Sequence, residues 1–234
     1  DAADREPVRH VEVQLLADHH GRVMHLFDRE CSIQRRRQKV IEEAPATLID
    51  GRLRDLMLAA AVRIGTAASY ASLGTVEYLV DEESRQFFFL EMNTRLQVEH
   101  GITEMVTGLD LVRMQIEVAE GRPLALRQDE VRARGHAIQC RVYAEDPEQD
   151  FTPSAGDVLH WVADAGPDIR VDSCIVRGTE VTTFYDPMLA KIMAWGPDRA
   201  TALRRVRHAI VRTQVAGLPT NQRFVLRTLD HPAF

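Results

Sequence analysis

The chain has 234 residues, of which 45% are hydrophobic and 27% are charged, and its formal net charge is −6. A chain of this length and composition can bury a substantial core, as one large domain or as two small ones. The composition excludes bulk disorder, and the acidic balance argues against nucleic acid as a partner.

The cysteines and the apolar runs indicate the compartment. Cys31, Cys140 and Cys174 are widely spaced and odd in number, so they predict neither a disulfide framework nor a paired metal site, and a reducing compartment is expected. No apolar run reaches the length of a membrane span, so no membrane partner is expected. Residues 1–7 are polar and acidic, which predicts that they are not a targeting segment.

Strand patterns come in neighbouring pairs along the chain. Residues 8–16 alternate and predict a half-buried strand with His10, Glu12 and Gln14 on its polar face. The predicted strands are 8–16, 22–27, 74–80, 87–92, 136–143, 157–161, 170–176, 180–184 and 189–195, and the predicted helices are 52–68 (capped by Asp50), 103–120, 199–212 and 221–229. This order favours an α+β fold with a largely antiparallel sheet over a doubly wound parallel one. The sequence contains neither a G-x-G-x-x-G motif nor a Walker A motif.

Residues 91–100 carry the densest set of chemical groups. Glu91, Asn93, Arg95, Gln97 and Glu99 occupy every second position, so they would share one face of an extended segment. The preceding run 87–90 is apolar on both faces, which is typical of a buried central strand. The polar row would then leave the core and enter a cleft, and the alternative is a solvated strand face.

Two glutamates are expected to face each other in the hairpin 74–92. A loop of residues 82–86 places Glu77 opposite Glu91, where Cβ atoms are about 4.5–5.5 Å apart and like charges repel. Such a pair needs a cation or a shared proton, and Mg²⁺ prefers one or two carboxylates with phosphate oxygens. We therefore predict a Mg-nucleotide site at Glu77 and Glu91, with Asn93 as a neutral oxygen donor. The alternative is a register that differs by one residue.

A cationic stretch at residues 32–39 could supply the opposite charge. It holds Gln34, Arg35, Arg37 and Lys39, and Lys39 is one of only two lysines among 29 basic residues. Phosphoryl transfer needs positive groups at the oxygens where charge accumulates. The alternative is a surface patch screened by the two glutamates that follow. For Arg141, in the predicted strand 136–143, the pattern alone favours a structural ion pair.

Several segments resemble one family, the biotin carboxylases. The segments are RHVEVQ at 9–14, SIQRR at 32–36 followed by Lys39, EEAP at 42–45, EMNTRLQVEH at 91–100, TEMVTG at 103–108, Arg141 with AEDP at 144–147, and YDPM at 185–188. The resemblance runs from about residue 8 to residue 234 and covers only the large C-terminal part of the family. It implies the C-terminal half of an ATP-grasp domain at 1–122 and the biotin carboxylase C-terminal region at 123–234, packed as one compact unit.

The resemblance also implies substrates and residue roles. The implied ligands are ATP, Mg²⁺ or Mn²⁺, bicarbonate, and biotin as the carboxyl acceptor. The implied metal ligands are Glu77, Glu91 and Asn93; the implied nucleotide contacts are His10, Gln34, Arg37, Lys39, Leu79 and Leu90; the implied bicarbonate contacts are Arg95, Gln97 and Val98. The implied catalytic residues are Glu99 as general base, Arg95, Lys39 as a contact to phosphate and bicarbonate, and Arg141 as the group that stabilises the biotin enolate.

Partners follow from the same resemblance. They are a biotinylated carrier domain, a carboxyltransferase subunit, and a second copy in a homodimer or larger complex, through a stretch that includes Arg170. DHHG at 18–21, YDPMLAK at 185–191 and GLPTN at 217–221 look most like the biotin-containing subunit of the methylcrotonyl-CoA type. The compartment would be the cytoplasm in a bacterium and the mitochondrial matrix in a eukaryote.

The sequence departs from the family at two positions. Arg37 stands where the family usually has His, and Gly101 stands where Pro usually follows the Glu-His pair, which could loosen the loop after Glu99. Nothing matches the family's N-terminal domain, glycine-rich lid or biotin-bearing segment, so these residues alone are expected to show little turnover. The alternatives are a non-catalytic assembly module and a ligase like carbamoyl phosphate synthetase, and the segment 97–100 disfavours the second.

Overall fold

The computed structural model describes residues 8–234, so the prediction for residues 1–7 lies outside the described residues. The strands are β1 (Val8–Ala17), β2 (Val23–Arg35), β3 (Gln38–Ala44), β4 (Ser72–Asp81), β5 (Gln86–Asn93), β6 (His136–Tyr143), β7 (Glu145–Asp146), β8 (Thr152–Pro153), β9 (Gly156–Asp157), β10 (His160–Val162), β11 (Ile169–Ser173), β12 (Glu180–Val181), β13 (Met188–Gly196) and β14 (Gln214–Ala216). The α-helices are α1 (Gly51–Ala67), α2 (His100–Thr107), α3 (Leu111–Ala119), α4 (Arg199–Arg212) and α5 (Gln222–Leu229).

The chain divides into two units. Of the described residues, the first unit consists of 8–32 together with 42–134, and the second consists of 33–41 together with 135–234. Each unit contains an antiparallel sheet covered by helices, which confirms the predicted α+β class. The predicted division into functional domains at residue 122 stays a prediction.

The sheet of the first unit has the strand order β2-β1-β4-β5, with each neighbour antiparallel. Helix α1 begins where predicted, because the Asp50 side chain accepts a hydrogen bond from the Leu53 backbone N–H at 2.8 Å. The core between α1 and the sheet includes Val11, Val13, Leu15, Leu53, Met57, Val76 and Tyr78. One face of this sheet is thus committed to the core, which leaves the other face for polar side chains.

That polar face is more buried than the alternation predicted. Glu12 and Gln14 are buried, so the expectation of a half-buried strand with an exposed polar face was wrong for β1. The predicted second strand also ended too early, at residue 27, whereas β2 continues to Arg35. The continuation brings a further charged residue, Arg29, into the sheet, where it is buried.

The apolar run in β5 does not form a central strand. Strand β5 is the last strand in the sheet order, and Phe88, Phe89 and Leu90 are each about half exposed. The expectation of a buried central strand was therefore wrong, since an apolar run identifies a central strand only when both of its faces are covered.

The helix predicted over residues 103–120 is two helices. Helix α2 begins earlier, at His100, and ends at Thr107, where it is capped by Gly108, whose φ of 72° is the left-handed conformation that glycine adopts readily. Helix α3 then begins after Asp110, whose side chain accepts from the Arg113 N–H at 2.9 Å. Gly101 lies buried in the first turn of α2, so the segment after Glu99 is helical and not the loop that the sequence suggested.

The sheet of the second unit has the strand order β11-β13-β6-β3. Helices α4 and α5 cover it, and the core includes Val40, Ile138, Cys140, Ile192, Val206, Ala209, Val225 and Leu229. The predicted strand 157–161 is divided between β9 and β10, and β11 and β12 end before the predicted ends at 176 and 184. These short strands carry few ladder bonds, which is why alternation alone overestimates their length.

The cationic stretch forms the tip of a hairpin. Strand β2 ends at Arg35, Arg36 and Arg37 both have positive φ, and β3 begins at Gln38. Arg35 donates to the Asp150 carbonyl at 2.8 Å and lies 3.8 Å above the Phe151 ring. In the alternative interpretation, Glu42 and Glu43 would screen a surface patch, but both are buried in β3.

Neither a disulfide nor a membrane-spanning helix is found within residues 8–234. Of the three cysteines, Cys31 and Cys140 are buried and Cys174 is exposed. None of the helices in residues 8–234 combines the length and the apolar character that crossing a bilayer requires.

Candidate functional site

A row of charged side chains crosses the sheet of the first unit. Arg29 on β2 lies opposite Glu12 on β1, Glu12 lies opposite Glu77 on β4, and Glu77 lies opposite Glu91 on β5. Directly opposed side chains of antiparallel strands share a face and approach to about 4.5–5.5 Å at Cβ. Three carboxylates therefore lie side by side, with a guanidinium at one end of the row.

The predicted pairing of Glu77 with Glu91 is confirmed, although the turn and the residue pairs between it and Glu77 differ from those predicted. Pairing begins at Asp81 and Gln86, one residue earlier than predicted, and a β-bulge between Glu77 and Tyr78 leaves Leu90 without an opposite residue. The extra residue restores the register, because Tyr78 pairs with Phe89 while Glu77 pairs with Glu91.

Asn93 connects the two carboxylates. Its Nδ2 donates to Glu77 Oε1 at 2.9 Å and to Glu91 Oε1 at 3.0 Å. The Asn93 Oδ1 accepts from Arg95 Nη2 at 3.5 Å, a long bond from an exposed side chain. The Asn93 NH₂ group thus lies between the two carboxylates, at the position that a divalent cation would occupy. For Asn93 to ligate a cation there, its side-chain amide would have to rotate so that Oδ1 faces the carboxylates.

Glu77 is buried and has donors on both of its oxygens. Its Oε1 also accepts from Gln97 Nε2 at 2.8 Å, and its Oε2 lies 2.6 Å from His10 Nε2. One ligand atom each from His10, Glu12 and Glu77 lies within 4.8 Å of the others, a spacing that could hold a metal ion. His10, predicted as a nucleotide contact, therefore adjoins the predicted metal ligands. The metal role of Glu77, Glu91 and Asn93 stays a prediction.

The polar residues of 91–100 gather at this cluster by a turn and not by strand alternation. Strand β5 ends at Asn93, and α2 begins at His100. Within the turn Arg95 is exposed, whereas Gln97 and Glu99 are buried. The prediction that one extended face carries all five polar groups was wrong, because the strand stops after the first two of them. Val98 is half-buried in the same turn.

A buried network around Arg29 was not anticipated from the sequence. Arg29 donates to Glu12 Oε1 at 2.6 Å, to Gln14 Oε1 at 2.7 Å and to Thr103 Oγ1 at 2.9 Å. Burial acts to lower the pKa of Arg29, but the charges of Glu12 and Glu99 outweigh it and raise that pKa. Arg29 is therefore a permanent cation in the interior of the first unit.

Two predicted nucleotide contacts are leucines on neighbouring strands of this sheet, β4 and β5. Leu79 on β4 lies opposite His10, and both Leu79 and Leu90 remain partly exposed. An apolar side chain left at a sheet surface beside charged groups is available to a ligand with an apolar face.

The other predicted residues lie in the second unit. Gln34 and Lys39 are half-buried on β2 and β3, and Arg37 is exposed at the hairpin tip. Arg141 is buried on β6, and its backbone carbonyl accepts from Asn221 Nδ2 at 3.0 Å.

The second lysine of the chain forms an ion pair. Lys191 on β13 lies opposite Arg141, and its Nζ is 3.1 Å from Asp172 Oδ2 on β11. Arg170 Nε donates to Asp172 Oδ1 at 2.8 Å. Burial acts to raise the pKa of Asp172, but hydrogen bonds and charge from Arg170 and Lys191 hold it below its usual value.

Comparison with known protein families places both parts of the chain. Residues 6–127 match the family described as the ATP-binding domain of the carbamoyl-phosphate synthase L chain, and residues 139–234 match the biotin carboxylase C-terminal domain. Biotin carboxylase from Nostoc sp. is 48% identical over 229 residues, which is 98% of this chain and 51% of that protein. The mitochondrial methylcrotonoyl-CoA carboxylase subunit alpha of Rattus norvegicus is 47% identical over 97% of this chain and 32% of that protein.

Solved structures show the same fold. The biotin carboxylase domain dimer of Hydrogenobacter thermophilus 2-oxoglutarate carboxylase, in complex with MgADP, ADP and bicarbonate, is 38% identical with a TM-score of 0.95, over 98% of this chain and 50% of that one. Pyruvate carboxylase from Rhizobium etli is 42% identical with a TM-score of 0.95, over 98% of this chain and 23% of that one. The chain spans about half the length of the biotin carboxylase that it matches, and about a third of the methylcrotonoyl-CoA carboxylase subunit.

Proposed function

The chain belongs to the biotin carboxylase family, and on that premise we propose that the protein carboxylates biotin with ATP and bicarbonate, through carboxyphosphate. The proposal rests most on one observation, the register that brings Glu77 and Glu91 opposite each other with Asn93 donating to both. Two directly opposed carboxylates repel each other, and a bound cation relieves that repulsion more strongly than the neutral Asn93 amide between them, so the arrangement favours a function that needs a cation.

The donor set fits a hard divalent cation. Glu77 and Glu91 offer carboxylate oxygens, and Mg²⁺ prefers one or two carboxylates plus substrate oxygens. Because Glu91 is exposed, a phosphate oxygen could reach a metal ion bound there. Mg²⁺ or Mn²⁺ held there would supply positive charge to the polyphosphate. The solved relative with MgADP and bicarbonate supports this ligand set for the present chain.

Bicarbonate is proposed to bind at the turn after β5. The exposed Arg95 guanidinium can bind the anion, with Gln97 and Val98 lining the same turn. Glu99 acts as the general base that removes the bicarbonate proton, and the resulting oxygen attacks the γ-phosphorus of ATP to give carboxyphosphate and ADP. Glu99 is buried and feels the charge of Arg29, so its carboxylate is surrounded by protein and not by bulk water.

The contribution of the second unit is proposed from the family resemblance. Lys39 contacts phosphate and bicarbonate, and Gln34 and Arg37 contact the nucleotide. Carboxyphosphate then breaks down to carbon dioxide and phosphate, the released phosphate takes the proton of the biotin ureido nitrogen, and that nitrogen attacks the carbon dioxide to give carboxybiotin. Arg141 stabilises the negative charge that develops on the ureido oxygen, as a preorganised guanidinium does.

Bicarbonate-dependent ATP hydrolysis by the intact protein, with and without free biotin, tests the proposal. We expect hydrolysis to require bicarbonate and to rise with biotin. The Glu99→Gln variant should lower kcat by roughly 10²–10⁴-fold, the usual contribution of a positioned base. Glu120→Gln, on the exposed end of α3, is the matched control and should leave kcat unchanged.

The same measurement separates this proposal from a non-catalytic assembly module. Hydrolysis that proceeds equally without bicarbonate, or that is unaffected by Glu99→Gln, would contradict the proposed chemistry. No hydrolysis by the intact protein under any of these conditions would support the assembly module.

The acyl-CoA that receives the carboxyl group is a finer proposal. We propose the methylcrotonyl-CoA type, because several curated relatives at 45–48% identity are methylcrotonoyl-CoA carboxylase alpha subunits. A biotinylated carrier domain, a carboxyltransferase subunit and a second copy of the chain are the partners this implies. The compartment would be the mitochondrial matrix in a eukaryote, as for those relatives, and the cytoplasm in a bacterium.

A further inference from the structure

Arg29 is a buried cation on the same sheet face as the proposed metal ligands. It occupies the end of the charged row, two strands away from Glu77, and its side chain is fully buried. The proposed reaction assigns it no role, since no substrate can reach it. A buried guanidinium carries a large desolvation penalty, so the charges and acceptors around it must be arranged to offset that penalty.

The acceptors around Arg29 come from four separate segments. They are Glu12 and Gln14 on β1, Thr103 on α2, Thr75 on β4 at 3.3 Å, and Gln97 in the turn between β5 and α2 at 3.4 Å. A guanidinium presents donors in a rigid planar fork, so its neighbours must all turn acceptor atoms towards it. Arg29 thereby sets the orientation of side chains from each of these segments.

Arg29 constrains Gln97 most strongly, because a side-chain amide has one donor end and one acceptor end and so only one orientation satisfies both of its neighbours. Gln97 Oε1 faces Arg29 Nη2, which leaves Gln97 Nε2 to donate to Glu77 Oε1 at 2.8 Å. If the amide were reversed, its oxygen would face the Glu77 carboxylate and its NH₂ group would face the guanidinium, and both contacts would be repulsive. Arg29 therefore determines which end of Gln97 reaches the proposed metal ligand.

Arg29 also supplies positive charge to buried acidic groups beside it. One ligand atom each from Glu12, Cys31 and Glu99 lies within 4.8 Å of the others, all three residues are buried, and Arg29 supplies positive charge to this group. The Arg29 Nε to Glu12 Oε1 distance of 2.6 Å is that of a strong charge-assisted hydrogen bond. The carboxylate row thus has a buried cation, Arg29, at one end, and at its other end Glu77 is still buried while Glu91 is exposed to solvent.

We propose that Arg29 is a positioning residue for the metal site: through the Gln97 amide it fixes the Glu77 carboxylate in the orientation that takes a divalent cation. The proposal rests on the proposed function, in which Glu77 and Glu91 hold that cation. Gln97 is the direct partner of Glu77, and losing a direct hydrogen-bond partner of a metal ligand typically lowers metal affinity by roughly 10–100-fold, which is the largest effect that Arg29 can have through Gln97.

The test measures the apparent KM for Mg²⁺ in bicarbonate-dependent ATP hydrolysis by the intact protein, together with its Tm. We expect Arg29→Lys to raise the KM for Mg²⁺ by roughly 10–100-fold, because an ammonium cannot reproduce the fork that orients Gln97. Arg54→Lys is the matched control, since Arg54 Nε pairs with the buried Asp28 at 2.9 Å in the same unit. That variant should lower the Tm and leave the KM for Mg²⁺ unchanged.

A double-mutant cycle distinguishes positioning from a loss of stability. If Arg29 acts through Gln97, the Arg29→Lys change should have little further effect on the KM for Mg²⁺ in a Gln97→Leu background. Should Arg29→Lys fail to fold, the pair Glu12→Gln with Arg29→Met replaces a buried ion pair by neutral groups, a change that is often neutral for stability. It should fold and still show the raised KM.

Three results would overturn the proposal, and they are distinguishable from a failure of the proposed function. A KM for Mg²⁺ that is unchanged in the folded Arg29 variants, additive effects of Arg29→Lys and Gln97→Leu, or an equal rise in Arg54→Lys would each refute a positioning role. A wild-type protein whose hydrolysis does not depend on Mg²⁺ would instead overturn the proposed function, and this inference with it.

Discussion

Replacing Glu91 by glutamine should stabilise the ligand-free protein while removing its response to metal. Glu77 and Glu91 are directly opposed, and like charges in that position destabilise a sheet by about 0.2–1 kcal/mol. Glutamine keeps an oxygen for the Asn93 Nδ2 donor, so the 3.0 Å hydrogen bond need not be lost. At about 2–4 °C per kcal/mol for a domain of this size, we expect Glu91→Gln to raise the ligand-free Tm by roughly 0.5–4 °C.

The ligand-bound Tm should change in the opposite direction. Metal and nucleotide at about 100 times Kd stabilise the wild type by about 2.7 kcal/mol, and a Kd raised about 100-fold reduces this to about 0.4 kcal/mol. Thermal unfolding of the intact protein, with and without Mg-ATP, measures both quantities. Glu83→Gln is the matched control, because Glu83 is exposed in the turn of the same hairpin, away from Glu77. A lower ligand-free Tm together with an undiminished Mg-ATP shift in Glu91→Gln would refute the reasoning.

Three further predictions concern the second unit. Gly135→Ala should strongly lower the Tm, because φ is +67° and the added Cβ would lie 2.3 Å from the Gly196 carbonyl oxygen; an unchanged Tm would contradict this. Asp198→Ala should lower the free energy of unfolding by about 1 kcal/mol in urea titrations, since Asp198 caps α4 through the Thr201 N–H, and Asp198→Asn should recover most of the loss. Asp172→Asn should be less stable than the wild type near neutral pH, as measured by the urea midpoint. The difference should shrink as the pH falls below about 3.8, because the lowered pKa of Asp172 in the folded state contributes stability only where its carboxylate is ionised. A difference that persists at low pH would refute that assignment.

The pairing of Glu77 with Glu91, the two proposed metal ligands, could be predicted from the sequence, but the count of residues that predicted it missed a β-bulge in the hairpin. Counting residues around the hairpin gave the observed opposition of Glu77 and Glu91, because a register shift at the turn and the bulge at Leu90 offset each other. Bulges depend on local twist and packing, which a count of alternating residues does not contain. The family resemblance, carried by residues 91–100, did not depend on this count.

Arg29 could not be found from the pattern because the alternation breaks two residues before it. The predicted strand ended at residue 27, where the structure shows a φ of 67° for Phe27 and a register shift between β1 and β2 at Val13 and Leu15. A non-glycine residue with positive φ inside a strand is uncommon and leaves no trace in hydrophobic periodicity. The boundary between α2 and α3 is different, since Gly108 and Asp110 are the usual signals of a helix end and a helix start and could have been read from the sequence.

Transfer of labelled carbon from bicarbonate to biotin tests the central claim most directly. The intact protein would be incubated with ¹⁴C-bicarbonate, free biotin and Mg-ATP, and the label that is recovered in biotin would be measured. We predict label that depends on ATP and on Mg²⁺ and that is lost in Glu91→Gln. Binding of Mg-ATP without any label in biotin would contradict the account.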